Sequence, residues 1–170
     1  MIVVQMHGEP GSGKSTIARE LGARLGAVVL DKDVIKTALL RSGVVEAQAG
    51  VAAYEVFHAQ ARALTAAGHA IILDSPVYWE SVERRWLEIS RAAGSAPILI
   101  ACVCGDRAEI RRRLASREAL ESQMRAPLDL AQNPGAGATR FEPRLTLDTT
   151  RPVEESVALA LDYVHAGVPA

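Results

Sequence analysis

One stretch near the N-terminus, residues 8–15, constrains the fold more than any other part of the chain. It reads GEPGSGKS and matches the pattern G-x-x-x-x-G-K-[ST] at every defined position. Glycines at these places let successive backbone N–H groups turn inward and form a nest for anions, and a helix beginning there directs its positive end at the same point. The lysine supplies a charge for β- and γ-phosphates, and the serine supplies a hydroxyl for Mg²⁺.

The residues on either side of this loop support the interpretation. A strand is predicted over residues 2–6 and a helix begins directly after the loop, which is the context that the motif requires. The sequence therefore predicts a cradle for a nucleotide triphosphate, built by Gly8, Glu9, Pro10, Gly11, Ser12, Gly13, Lys14, Ser15 and Thr16.

Composition bounds the size and class of the molecule. With 170 residues the chain is long enough for one well-filled core and short for two, so we expect a single domain over residues 1–170. Almost half of the residues are hydrophobic but only 4% are aromatic, so Ala, Val, Leu and Ile must build the core, which suits helices packed on a buried sheet. The net charge of −1 creates no field that would attract nucleic acid or an anionic membrane, which favours a small-molecule partner.

Neither a targeting segment nor a membrane span is expected. Met1 leads straight into a short strand, and no apolar run is long enough to cross a bilayer. We therefore expect a soluble, cytoplasmic protein. Cys102 and Cys104 lie two residues apart on one predicted strand, which predicts two buried thiols on the same side and neither a disulfide nor a metal site.

Apolar strands alternate with helical segments along the rest of the chain. Strands are predicted over residues 2–6, 27–30, 70–74, 97–103 and 145–148, and helices over 14–25, 33–42, 51–67, 80–93, 106–118 and 152–164. This alternation predicts right-handed crossovers and a parallel sheet. On the helix over 51–67, the stripe of Tyr54, Phe57, His58 and Ala61 is interpreted as core rather than as a ligand pocket.

Carboxylates stand at the carboxyl ends of two of these strands. Asp31 and Asp33 follow the second strand, and Asp74 ends the third. Ligands of open α/β sheets bind outside the carboxyl ends of the strands, where Lys14 and Ser15 also point, so these acids are candidate site residues. We expect Ser15 with Asp31 or Asp74 to hold Mg²⁺, directly or through water, and Asp33 either to cap the helix over 33–42 or to face a substrate.

The helix over 106–118 is dense in arginine. Arg113 and Arg117 are four residues apart and would share one face of it. Such a face is either solvated or closes over phosphates and stabilises the charge on a transferring group. Residues 119–143 lack periodicity and contain the turn-rich segment NPGAG, so we predict a mobile lid over about 107–143.

With these motifs the chain resembles the small P-loop kinases of the AAA_33-type group, which includes chloramphenicol phosphotransferase and the kinase domain of polynucleotide kinase. The likeness rests on the phosphate loop, residues 31–33, Asp74, the arginine helix and residues 147–150, and it covers almost the whole chain. It implies a three-layer α/β/α fold, a five-stranded parallel sheet in the order 2-3-1-4-5, and ATP and Mg²⁺ as cofactors. It also implies that Asp33 accepts the proton of an acceptor hydroxyl and that Lys36 contacts the acceptor.

Two details narrow this resemblance. The polynucleotide enzymes have arginine where this chain has Lys36, and lysine cannot grip a phosphate bidentately, which argues against a nucleic-acid acceptor. The spacing of Asp31 and Asp33 is similar to that of shikimate kinase. However, residues 74–76 (DSP) stand where that family has a glycine triplet, which argues against shikimate itself.

The sequence thus predicts an ATP-dependent phosphotransferase that moves the γ-phosphate to a hydroxyl of a small molecule, such as a metabolite, sugar, nucleoside or antibiotic. The expected catalytic residues are Lys14, Asp33, Arg113 and Arg117, and the expected substrate contacts are Asp33, Lys36, Tyr54, Asp74 and Tyr78. One alternative is a polynucleotide 5′-hydroxyl kinase or a toxin-like kinase of sugar nucleotides. Another is a nucleotide-dependent switch without an acceptor, although the chain has no Asn-Lys-x-Asp motif of the kind that GTPases use. The identity of the acceptor and the oligomeric state stay open.

Overall fold

A parallel sheet of five strands forms the centre of the part of the chain that the computed structural model describes, residues 1–124, 141–142 and 144–167. The strands are β1 (Val3–His7), β2 (Val28–Asp31), β3 (Ile71–Asp74), β4 (Ile98–Val103) and β5 (Leu145–Asp148). Their order is β2-β3-β1-β4-β5 and each pairing is parallel, which confirms the predicted topology. Because all strands run the same way, their carboxyl ends meet at one edge of the sheet.

Seven helices connect and follow these strands within the described residues. They are α1 (Lys14–Leu25), α2 (Lys32–Arg41), α3 (Glu46–Ala66), α4 (Glu80–Ala92), α5 (Arg107–Ser116), α6 (Glu121–Met124) and α7 (Val153–Gly167). Helix α1 has the predicted bounds, whereas α3 begins five residues earlier than predicted, at Glu46. The added turn contains Gly50, which lowers helix propensity, and packing of α3 against α2 offsets that loss.

The helices cover both faces of the sheet. One core contains Val4 and Met6 of β1 together with residues of α1 and α7, and the other contains Val3 together with residues of α3 and α4. Successive strand residues point to opposite faces, so a strand that is buried along its whole length, as β1 is, must be covered on both. The predicted three-layer α/β/α arrangement is confirmed. No helix of the described residues is both long and apolar enough to cross a membrane.

The start of α2 differs from the prediction that Asp33 caps it. Asp31 is the N-cap, and its carboxylate accepts a hydrogen bond of 2.8 Å from the Asp33 N–H. The prediction was wrong because β2 turns into α2 without an intervening loop, so the last strand residue occupies the cap position. Asp33 lies in the first turn of α2, and its carboxylate is therefore available for other contacts.

The arginine helix ends earlier than predicted. Asp106 caps α5 and the helix ends at Ser116, so Arg117 follows it in an extended conformation, with φ −78° and ψ 146°. Arg113 and Arg117 therefore do not share a helix face, contrary to the prediction. Part of the predicted lid folds as the short helix α6, and residues 125–140 and 143 of the lid lie outside the described residues.

Both cysteines are buried free thiols, as predicted. Cys102 lies on β4, whereas Cys104 follows the last residue of that strand. Burial raises the pKa of the Cys102 thiol to about 12, so it stays protonated at neutral pH.

Candidate active site

The phosphate loop joins β1 to α1 and depends on glycine at its ends. Gly8 and Gly13 have φ values of +146° and +83°, which L-residues with a side chain rarely adopt. A Cβ on Gly8 would lie 2.5 Å from Ser12 Oγ and 2.6 Å from the Cys102 carbonyl oxygen. The loop therefore packs so closely on β4 that only glycine fits, and α1 begins directly after Gly13.

A cavity of about 1090 Å³ opens above this loop. Eight of the nine predicted nucleotide-binding residues line it, namely Gly8, Glu9, Pro10, Gly11, Gly13, Lys14, Ser15 and Thr16. Ser12 is the exception: it is fully buried behind the loop, and its carbonyl accepts a hydrogen bond of 2.7 Å from Thr149 Oγ1. Ser12 therefore supports the loop from below instead of facing the cavity.

The lysine of the loop meets a strand-end acid. Lys14 Nζ forms an ion pair with the Asp74 carboxylate. Burial by itself would lower the pKa of Lys14, but the charge and hydrogen bond of Asp74 outweigh it, so the pKa is raised and the ammonium stays charged. Asp31 is the register partner of Asp74 on the neighbouring strand, and burial together with the charge of Asp74 raises the pKa of Asp31.

Asp33 faces the same cavity with an ionised carboxylate. Burial by itself would raise its pKa, but the Lys32 ammonium, 2.7 Å away, together with a hydrogen bond from Gln123 and the charge of Lys14, outweighs burial, so the pKa is lowered. Gln123 Nε2 of α6 donates this hydrogen bond, of 3.1 Å, to the carboxylate. Asp33 is therefore an acceptor-only group at neutral pH, held from α2 and α6.

The predicted acceptor contacts lie along one side of the cavity. Lys36 lines it and pairs with Glu46 at 2.5 Å. Tyr54 accepts a hydrogen bond of 3.1 Å from Ser75 Oγ. Tyr78 also lines the cavity, and burial followed by the charge of Glu9 raises its pKa to about 12. These residues are brought together, except that Asp74 contacts Lys14 and is absent from the cavity lining.

The stripe interpreted as core divides between two environments. Phe57 and Ala61 are fully buried in the core under α3 and α4, as predicted. His58 is also buried and Tyr54 packs against this core, as predicted, but both side chains line the cavity as well. A stripe of this width on a helix contacts both the core and the cavity, and the residue spacing does not show which of its side chains reach the cavity.

The two predicted catalytic arginines have different partners. Arg113 donates to the Thr149 carbonyl at 2.6 Å, to Thr149 Oγ1 at 3.1 Å and to Glu109 at 2.7 Å. It therefore ties α5 to the chain after β5. Arg117 lines the cavity, and its Nε is buried without a hydrogen-bond partner among the described residues.

Three residues of the site had no predicted role. Thr149 supports the loop, Gln123 contacts Asp33, and Lys32 neutralises it. Thr149 follows the carboxyl end of the last strand, and that position is a signal that could have indicated its role. Nothing in the sequence pattern indicates Gln123, because its partner is 90 residues away.

A second cavity of about 270 Å³ adjoins the large one at the end of the phosphate loop. Both cavities share Gly13, Thr16, Arg112 and Arg113 in their linings. The second cavity is further lined by residues of the segment that follows β5, including Thr149, Arg151 and Val153. The end of the loop therefore borders both a large cavity that contains Asp33 and a small one beside the start of α7.

A family model described as an AAA domain, AAA_33, matches residues 3–133 of this chain. The chain belongs to the AAA_33 family. The crystal structure of a sugar kinase from Janibacter sp. HTCC2649 superimposes with a TM-score of 0.68 at 19% identity, covering 100% of this chain and 99% of that one. At this identity the likeness shows the fold, which is that of the P-loop kinases.

Two curated relatives align with this AAA_33 member. An uncharacterized protein of Mycobacterium tuberculosis (strain ATCC 25618 / H37Rv) is 28% identical over 166 residues, which is 90% of this chain and 32% of that protein. The chain thus spans about a third of that relative's length. A shikimate kinase of Corynebacterium diphtheriae is 35% identical over 103 residues, which is 54% of this chain and 60% of that enzyme.

Proposed function

We propose that the protein is an ATP-dependent phosphotransferase that moves the γ-phosphoryl group of ATP to a hydroxyl of a small molecule. The observation that carries the proposal is that Lys14 of the phosphate loop and the ionised Asp33 carboxylate line one cavity. The Lys14 ammonium can bind the phosphates, and the Asp33 carboxylate can accept a proton from the attacking alcohol. Phosphoryl transfer requires little more from a protein than this positioning and charge neutralisation.

The two cavities suit the two ends of ATP. The backbone N–H groups of the loop and the start of α1 would hold the phosphates. The smaller cavity beside Thr149 and Arg151 would then take the nucleoside, since it adjoins the end of the loop and its lining does not include Asp33. Lys14 would exchange Asp74 for the β- and γ-phosphate oxygens when the nucleotide binds.

The residues around Ser15 suit Mg²⁺. The Ser15 hydroxyl and the carboxylates of Asp31 and Asp74 are oxygen donors, which this ion prefers. Asp31 and Asp74 are neighbours across β2 and β3, and the charge of Asp74 contributes to the raised pKa of Asp31. A divalent cation relieves this repulsion, so these three residues would hold Mg²⁺, which neutralises charge on the phosphate oxygens.

Asp33 would accept the proton of the acceptor hydroxyl. Its carboxylate is ionised, and Lys32 and Gln123 hold it in place. Lys36, Tyr54 and Tyr78 would contact the acceptor, and Arg117 would approach the transferring group from the end of α5. The unpartnered Nε of Arg117 supports this role, because it has hydrogen-bonding capacity to spare among the described residues.

The test is transfer of label from ATP labelled at the γ-phosphate to a panel of hydroxyl-bearing metabolites and antibiotics. Lys14→Ala should lower transfer by about 100-fold or more with every acceptor, because it removes the ammonium group that stabilises the negative charge of the phosphates. Asp33→Asn should leave ATP affinity within about twofold but lower transfer by about 100-fold or more, because it removes the base. Asp162→Asn, on the exposed face of α7 and outside both cavity linings, is the matched control. Near wild-type transfer by Asp33→Asn would refute this assignment of the base.

A further inference from the structure

The large cavity extends from Asp33 into a groove between α3 and the start of α4. The residues of α3 that line it follow the helical period and so form one face of the helix: Ala47, Gly50, Val51, Tyr54, Glu55 and His58. The opposite wall consists of Pro76, Tyr78, Trp79, Ser81, Val82 and Arg85. We call these twelve residues the acceptor groove.

Trp79 is the one large ring in this groove with a substantial free surface. Its side chain is 53% exposed, whereas Trp86, on the same helix that Trp79 caps, is fully buried. Edge contacts to Tyr54 and Tyr78, at centroid distances of 6.0 and 5.9 Å, hold the indole in place. An aromatic ring held by neighbours and open to a concave site is a surface on which a planar ligand stacks.

The Tyr54 ring already has partners within the protein. It stacks on the His58 ring at 5.8 Å, and the Lys32 ammonium lies over it at 5.5 Å. Tyr54 therefore forms a wall that continues from Trp79 to Asp33, because Lys32 also pairs with the Asp33 carboxylate at 2.7 Å. A ring stacked on Trp79 would extend along this wall toward the proposed base.

The cations along this part of the cavity are neutralised. Lys32 pairs with Asp33 at 2.7 Å, Lys36 with Glu46 at 2.5 Å, and Arg85 with Glu55 at 2.5 Å. Each described lysine or arginine of α2, α3 and α4 that lines the cavity is thus paired with a carboxylate. An anionic group between α3 and α4 would therefore meet only cations that are already paired, whereas Arg19 and Arg117, which also line the cavity, belong to α1 and to the end of α5.

His58 adds no charge to the groove. It is 1% exposed, and burial followed by the charges of Arg85 and Arg62 lowers its pKa to about 4, against a small opposing effect of Glu55. The Tyr54 carbonyl lies near the imidazole but outside hydrogen-bond geometry, and neither ring nitrogen has a partner among the described residues. The imidazole is therefore neutral at pH 7.

From these contacts we infer that the acceptor groove selects an uncharged hydroxyl compound with a planar ring, which stacks on Trp79 while its hydroxyl reaches Asp33. This inference rests on the proposed phosphotransferase function and names the class of its acceptor. A compound of similar size that carries an additional carboxylate or phosphate group would bind more weakly.

The first test compares ring compounds that differ in one anionic group. Benzyl alcohol is paired with 4-(hydroxymethyl)benzoate, and thymidine with thymidine 5′-monophosphate. Binding is read from tryptophan fluorescence, because Trp79 is exposed and Trp86 is buried, and a Trp79→Phe protein serves as the signal control. The uncharged member should bind at least about tenfold more tightly than its charged partner. Equal or tighter binding of the charged members, or no binding of any ring compound, would overturn the inference.

Transfer of labelled phosphate to the same compounds separates this inference from the proposed function. Tight binding of the uncharged members without transfer to any of them, with ATP bound, would count against the kinase function and leave the groove's selectivity standing. Preferential transfer to the anionic members would support the kinase function and overturn the groove's preference for uncharged compounds.

The second test changes the groove itself. Trp79→Ala should weaken binding of the uncharged ring compounds by about tenfold or more, and Trp79→Phe should restore most of it, measured by titration calorimetry because both variants lack the fluorescent reporter. Val56→Ala is the matched control on α3, since Val56 is exposed and lies outside the cavity lining. Equal binding by wild type and Trp79→Ala would overturn the stacking surface.

A substitution of Glu55 tests whether the paired charges set the preference of the groove. Glu55→Gln frees Arg85 and should improve binding of 4-(hydroxymethyl)benzoate by about two- to fivefold relative to benzyl alcohol, because the Arg85–Glu55 pair is partly exposed. Glu88→Gln is the control, because Glu88 also lies near Arg85 and influences its pKa but is not its hydrogen-bond partner. An unchanged ratio in Glu55→Gln would show that paired charges do not set the preference.

Discussion

Gly22 shows how closely α1 rests on the sheet. A Cβ at this position would lie 2.5 Å from Val29 Cγ2 and 3.3 Å from the Ala27 carbonyl oxygen. Gly→Ala in a helix interior normally adds up to about 1 kcal/mol of stability. Here overpacking of a β-branched neighbour costs about 1–3 kcal/mol, so we expect a net loss.

Gly22→Ala should therefore lower the free energy of unfolding by about 1–2 kcal/mol, measured by urea denaturation. Gly50→Ala in α3 is the matched control, because no atom lies within 4 Å of its added Cβ. It should raise the free energy of unfolding by up to about 1 kcal/mol. Similar effects of the two substitutions would contradict the close packing of α1 on β2.

Asp31 has two tasks that substitutions can separate. Asparagine is as good an N-cap as aspartate, so Asp31→Asn should keep the free energy of unfolding within about 0.5 kcal/mol. The loss of a carboxylate should raise the Mg²⁺ concentration for half-maximal transfer by about tenfold or more. Asp31→Ala should show the same Mg²⁺ effect and lose about 1 kcal/mol of stability as well. An unchanged Mg²⁺ requirement in both variants would remove Asp31 from the proposed metal site.

Helix α5 is attached to the rest of the molecule by Arg113. Its guanidinium joins Glu109 of the same helix to Thr149 after β5, and Thr149 in turn supports Ser12 of the phosphate loop. Helix, loop and strand end are thereby coupled. Only the planar guanidinium of an arginine can make these contacts at the same time, because the ammonium of a lysine is a single point charge.

Arg113→Lys should raise the KM for ATP by about tenfold, although the charge is kept, because Thr149 and the loop lose their common support. Arg111→Lys is the control, because Arg111 is exposed on the same helix and lines neither cavity. Its effect on KM should stay within about twofold, because the charge is kept and the side chain has no part in the two cavities. Equal KM values for the two variants would show that the Arg113 contacts are not needed for nucleotide binding.

Across the whole molecule, two buried histidines couple stability to pH. Burial, followed by Lys14 for His7 and by Arg85 for His58, lowers the pKa of each from 6.5 to about 4. The folded state keeps them neutral, so the unfolded state binds more protons between these values. Stability is therefore full above about pH 6.5 and falls as the pH drops toward 4, by about 3 kcal/mol for each histidine.

Urea denaturation at pH 7, 6 and 5 measures this decline. His58→Leu should remove about half of it, because one of the two protonation sites is lost. His69→Gln should leave it unchanged, since His69 is exposed. A pH dependence that is the same in wild type and His58→Leu would contradict a neutral buried imidazole at this position.

Much of the architecture is predictable because it follows from local patterns. The apolar runs locate all five strands, and the glycines and lysine of the loop locate the start of α1. Errors occur where two roles compete for one stretch: Asp31 caps α2 in place of Asp33, and Arg117 lies beyond α5. The site was predicted as a set of residues, but their partners were not.

The sequence alone determined the parallel sheet, the phosphate loop and the edge at which the acids gather, because backbone freedom and hydrophobic period depend on near neighbours in the chain. The tertiary structure decided which charges meet: Lys14 with Asp74, Asp33 with Gln123, and Arg85 with Glu55. The pair of Arg85 with Glu55 also leaves the end of the cavity between α3 and α4 without a free charge among the described residues. Ion pairs and hydrogen bonds depend on distances between groups 30 to 90 residues apart, and no local pattern contains those distances.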